Sequence, residues 1–212
     1  MTDDPALRRS WMRAGAGCGF AGGLTYALAA FAPLPETAGY AAAFAFGPLL
    51  ALGVVGLYHG VSDPRPTVLT QAAALLGIAG GFTVLIMLTA QQATFALLGE
   101  AITRAADPAE AEAFRQVRQG VNAVQLGLDV AWDVMIGGSV VLFGLAMLPH
   151  PAFGRVVGAL GIALGVLLLA FNLRHFPVPP ADAESIDWGP FVALWMMVVF
   201  GLLLRHARRA PG

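Results

Sequence analysis

Residues 121–148 read VNAVQLGLDVAWDVMIGGSVVLFGLAML, a continuous apolar run whose only charges are Asp129 and Asp133. About 20 mainly apolar residues suffice for a helix to cross a hydrocarbon core about 30 Å thick. The segment therefore predicts a membrane-crossing helix, and its two carboxylates are the anomaly that bears on function.

The rest of the chain has the same character. Of its 212 residues 58% are hydrophobic and 12% charged, and the mean hydropathy is +0.72. Soluble domains carry roughly 25% charged residues, so lipid must cover most of this surface. Further runs at 14–32, 40–61, 69–98, 153–173 and 189–205 bring the expectation to about six spans in one membrane-embedded domain. The predicted fold class is all-α, a polytopic transmembrane helical bundle. Barrel strands would alternate over about ten residues, whereas these runs are apolar throughout. They are separated where proline and charge cluster, as in Pro33-Leu34-Pro35-Glu36 and Pro149-His150-Pro151.

Arginine placement sets the expected orientation. With the N-terminus inside, Arg8, Arg9, Arg13, Arg65, Arg155, Arg205, Arg208 and Arg209 lie on the inner side, against Arg104, Arg115, Arg118 and Arg174 outside. This predicts a plasma-membrane protein with both termini cytoplasmic. Arg8-Arg9-Ser10 resembles a twin-arginine signal, but the apolar run after it continues through Ala32 and reads as a first span.

Several chemistries are disfavoured by what the chain lacks. All twelve basic residues are Arg, so no lysine can form a Schiff base. The single Cys18 allows no intrachain disulfide. There is no HExxH, no cysteine cluster and no Gly-rich phosphate loop. His59, His150 and His206 belong to the inner edge and His175 to the outer, which is wrong for a bis-His haem in mid-membrane. A net charge of -1 with no basic stripe gives no sign of nucleic-acid binding. No cofactor is expected, and the residues leave a metal undecided.

The polar residues of the fourth run form a pattern. Arg115, Arg118, Asn122, Gln125, Asp129 and Asp133 are spaced by three or four residues and so share one helical face. Counted back from Leu148 at about 1.5 Å per residue, Asp133 lies about 22 Å up and Asp129 about 28 Å. A central Asp costs about 2.5–3.5 kcal/mol on insertion scales, so Asp133 is expected to face protein or a wet cavity. Arg174 and His175, near the outer end of the fifth span, are the nearest candidate partners. Gln91, Gln92, Thr94, Asn172 and Tyr26 fall at a similar depth.

Upstream, Asp107-Pro108-Ala109-Glu110 is a helix start with a capping Asp, a first-turn Pro and a Glu able to reach back. An extramembrane amphipathic helix is expected over about 108–120, continuing towards 148, with Gly120 the candidate bend. Small residues at every fourth position, Gly15/Gly19/Gly23, Gly154/Gly158 and Gly161/Gly165, predict close helix contacts. Those contacts are expected chiefly within the chain, with a homo-oligomer through the same faces as the alternative.

Gln125 to Asp133 also resembles part of the Asn-Asp-x-x-Asp-x-x-x-Asp motif of intramembrane aromatic prenyltransferases, but Leu126 stands where that motif requires Asp. In layout the chain resembles uncharacterised bacterial families of small, roughly six-helix membrane proteins. That likeness lies in Gly127-Leu128-Asp129-Val130-Ala131-Trp132-Asp133, His150-Pro151-x-Phe153-Gly154-Arg155 and Phe176-Pro177-x-Pro179-Pro180. It implies a fold and no activity.

The functional expectation is binding or permeation of a small solute or ion through an outward-facing polar pocket. Asp129, Asp133, Gln125, Asn122, Gln92, Arg174 and His175 are its candidate contacts. An intramembrane enzyme acting on a lipid or isoprenoid, and a non-catalytic scaffold or subunit, are the alternatives.

Overall fold

The computed structural model describes residues 4–62, 65–178 and 183–209, and these form six helices: α1 (Pro5–Phe31), α2 (Glu36–Val61), α3 (Val68–Arg104), α4 (Pro108–Met147), α5 (Gly154–His175) and α6 (Gly189–Arg209). Five of them, α2 to α6, are long and apolar enough to cross a membrane. The chain is an all-α, membrane-type helical bundle. α1 begins nine residues before the apolar run, because Asp4 caps it by accepting from the Ala6 N–H at 2.9 Å and Pro5 opens it. Its first turns therefore carry Arg8, Arg9 and Arg13.

Each helix packs on its chain neighbours, and α6 closes the ring against α1. α2 also touches α4 and α6 across the middle. Both chain ends share one end of the bundle, where Arg8 Nε donates to the His59 carbonyl at 2.9 Å and the His150 and His206 rings meet at 5.6 Å. The α1–α2, α3–α4 and α5–α6 connections lie at the opposite end.

Close helix approach is built from glycine. Gly15 on α1 faces Gly56 on α2, and a Cβ on either would be driven into the other's backbone. Gly158 and Gly165 of α5 pack on Gly144 and Gly137 of α4 in the same manner. Elsewhere a glycine receives a ring: Phe200 lies against Gly19 and Gly53, and Trp195 against Gly161. Trp195 Nε1 also donates to the Val157 carbonyl at 2.9 Å. The glycine faces of α1 and α5 are thus occupied by contacts within the chain. Gly15, Gly19, Gly158, Gly161 and Gly165 are all buried in these contacts, while Gly154 has nothing within 4 Å of an added Cβ.

The half of the bundle nearer the termini is densely filled. Val54, Leu57, Val140, Phe143, Met147, Val199, Phe200 and Leu203 are each at most 2% exposed. Among them Ser139 Oγ, on α4, donates to the Ala73 carbonyl of α3 at 2.8 Å. Interhelical hydrogen bonds in membrane proteins average about 0.6 kcal/mol. Ser139→Ala is expected to lower unfolding free energy in detergent by about that amount. A loss several times larger, in a denaturant titration, would mean the hydroxyl does more than cross-link α3 and α4.

α3 and α4, of 37 and 40 residues, outrun the other helices. At 1.5 Å per residue α4 is about 60 Å long, so the hairpin projects beyond the rest of the bundle. α4 passes through Gly120 without interruption, where a bend was expected. Its start follows the sequence closely: Asp107 Oδ1 accepts from the Glu110 N–H at 2.9 Å. The Glu110 carboxylate reaches back one residue further than a capping box does, to the Ala106 N–H at 2.7 Å. Exposed i,i+4 and i,i+3 pairs, Glu100–Arg104 at 2.6 Å and Glu112–Arg115 at 3.1 Å, solvate the tip.

Candidate functional site: an acidic, aromatic-walled cavity

Away from the termini the close packing gives way to a cavity of about 380 Å³. All six helical segments contribute to it. α4 supplies Asp129, Trp132 and Asp133, its i,i+4 spacing putting both carboxylates on one face. α3 supplies Val84, Met87, Leu88, Gln91 and Gln92, a run of i,i+3/i+4 positions facing α4. Tyr26 and Ala29 come from α1, Ala43 and Phe46 from α2, Asn172 from α5, and Asp187 and Gly189 from the start of α6. Small residues on three of these walls, Ala29, Ala43 and Gly189, leave the space open.

Asp133 is 6% exposed. Among the described residues neither it nor Asp129 has a hydrogen bond or ion pair. Asp129 is half-buried, and Asp187 is exposed at the rim. The Asp187 carboxylate accepts from the Gly189 N–H at 2.8 Å, which fixes the first turn of α6. Asn172, also 6% exposed, donates from Nδ2 to the Leu168 carbonyl at 3.0 Å within its own helix. The indole N–H groups of Trp132 and Trp188 are buried without an acceptor.

Aromatic rings form one side. Tyr26 and Phe46 lie 5.2 Å apart between ring centroids, and Phe46 meets Trp132 edge-on at 6.2 Å. Past these rings an apolar cleft continues between α1 and α6, lined by Leu50, Leu168, Met196, Met197 and Phe200. Tyr26, Phe46, Trp132, Asp133 and Gly189 border both spaces.

The expected contacts divide in three. Asp129, Asp133 and Gln92 line the cavity, as do Gln91, Asn172 and Tyr26. Asn122 and Gln125 line a smaller neighbouring cleft between α3 and α4, with Arg118, Thr94 and Gln91. Arg174 and His175 line neither, and Arg174 is exposed. For Arg174 the physical reason is helical phase: Asn172 takes the inward position near the end of α5, and a residue two further on is turned about 200° away. His175 shares the face of Asn172 but stands one turn further on, as the last residue of α5. The anticipated pairing of the acids with Arg174 or His175 does not occur. No group of three His, Cys, Asp or Glu among the described residues is arranged to hold a metal ion.

Sequence reasoning missed Asp187, Phe46 and Trp132. Asp187 stands two residues before Gly189-Pro190, a spacing that marks a helix start and could have placed its carboxylate beside the first turn of α6. The two rings carried no comparable mark, since an aromatic residue in an apolar run reads as packing. No family model, curated protein or solved structure matches the chain.

Proposed function

We propose that this is a multi-pass protein of the plasma membrane that binds or passes a small solute or ion through the cavity, which faces outward. α1 serves as a sixth span beside the five more apolar helices. The observation that carries the reading is Asp133, a carboxylate buried in a bundle interior with no partner among the described residues, lining a space within the usual small-molecule range of about 300–1,000 Å³. An ionisable group at such depth is costly, and facing an internal wet space lowers that cost. The unsatisfied Trp132 N–H on the same wall supports a polar occupant, water or solute. Arginine supports this orientation: eight of the twelve belong to the termini end, the bias expected of a cytoplasmic face.

The alternatives draw less support. An enzyme acting on a lipid or isoprenoid would need reactive groups converging on the acids, and Arg174 and His175 lie elsewhere. A purely structural scaffold would favour a sealed, fully paired polar cluster, whereas these acids are unpaired.

Thiol accessibility tests the proposal. In a Cys18→Ser background, Leu88→Cys and Gln92→Cys each place one thiol on the cavity wall at a half-buried position. In right-side-out vesicles both are expected to react with a membrane-impermeant, positively charged methanethiosulfonate. Labelling only after the inner face is exposed would reverse the orientation. No labelling from either side would mean the cavity is closed to solutes.

A further inference from the structure

We propose that the cavity selects an amphiphilic organic cation, an alkylammonium whose charged head sits among Asp129, Asp133 and Asp187 and whose apolar tail enters the cleft between α1 and α6. The inference rests on the solute-binding reading above and names its ligand class.

Charge comes first. Three carboxylates line the cavity, and no Arg or His among the described residues does. An anion would meet uncompensated repulsion there, and a phospholipid headgroup would bring its phosphate against the same acids. A cation supplies the countercharge that the protein does not.

The walls then discriminate among cations. A small inorganic ion needs a shell of oxygen ligands, six or more for calcium and near-octahedral for magnesium. No three His, Cys, Asp or Glu among the described residues converge to begin such a shell. Much of the wall is instead aromatic and aliphatic: Tyr26, Phe46 and Trp132 beside Val84, Met87 and Leu88. Rings facing a cation are the usual means of holding a substituted ammonium, and the interaction strengthens when water is excluded. Asp133 lies at the boundary between this chamber and the apolar cleft. A head paired with Asp133 therefore directs its substituent towards Met196, Met197 and Phe200, flexible and polarisable contacts that accept varied tails.

The test uses protection of Leu88→Cys from a neutral methanethiosulfonate by four defined compounds. Hexyltrimethylammonium is expected to slow modification at least about tenfold, and tetramethylammonium less, because it lacks the tail. Hexanesulfonate and a neutral isostere with carbon in place of nitrogen should not protect. Asp133→Asn, still reactive at Leu88→Cys, should lose protection by hexyltrimethylammonium. Protection by the neutral isostere or the sulfonate equal to that of the ammonium, or retention of protection in Asp133→Asn, overturns the inference while the solute-accessible cavity stands. A thiol that reacts with no reagent overturns both.

Discussion

Gly56→Val is expected to destabilise the bundle by about 3 kcal/mol, the upper part of the range for overpacked cores. Gly56 and Gly15 bring the α1 and α2 backbones together, and a side chain on Gly56 would collide with Gly15 Cα and the Trp11 carbonyl. Both obstacles are backbone, so no rotamer change relieves them. The helices must separate, and the whole glycine seam loses dispersion contact. Gly60→Val should cost less, since the atom it meets is the tip of the Leu203 side chain. Gly17→Val is the control, with nothing within 4 Å of its added carbon. Thermal unfolding in detergent, followed by helical circular dichroism, should rank them Gly17→Val, Gly60→Val, Gly56→Val in increasing damage. If Gly56→Val melts with the Gly17→Val control, the α1–α2 approach is looser than drawn.

The same contacts explain which parts of the architecture could be read in advance. Continuous apolar runs identify helices because lipid forces every backbone group to pair within its own segment. The start of α4 was legible for a local reason, since Asp107, Pro108 and Glu110 act within one turn. The depth and shared face of Asp129 and Asp133 were equally legible, following from rise and rotation per residue. What lay beyond reach was rotational phase between helices. Arg174 is on the wrong side of α5, and His175 stands a turn past Asn172 at the end of that helix, which distance along the chain alone does not reveal. Asn122 and Gln125 continue the stripe of α4 but turn to a separate cleft, because α3 lies alongside and Gln91 is shared between the two spaces. Phe46 and Trp132 acquired a role only when three helices brought their rings to one wall.

Asp133→Asn is expected to raise the stability of the protein in the absence of ligand, by about 2 kcal/mol, somewhat less than the roughly 2.5–3.5 kcal/mol that a central Asp costs a span. Most substitutions at buried polar positions destabilise, because they orphan a partner. Asp133 is 6% exposed and has no partner among the described residues to orphan. Asparagine keeps the shape and removes the charge, so the folded state is relieved of an uncompensated group while its packing is untouched. Asp187→Ala should go the other way and cost about 1 kcal/mol, because that carboxylate holds the Gly189 N–H at the start of α6. Opposite signs at two acids of one cavity are hard to obtain unless one is structural and the other held at the expense of stability for binding. The comparison requires only unfolding midpoints of the two variants and the parent in the same detergent. A lower midpoint for Asp133→Asn would mean that the carboxylate has a structural partner, and its claim to a ligand would go with it.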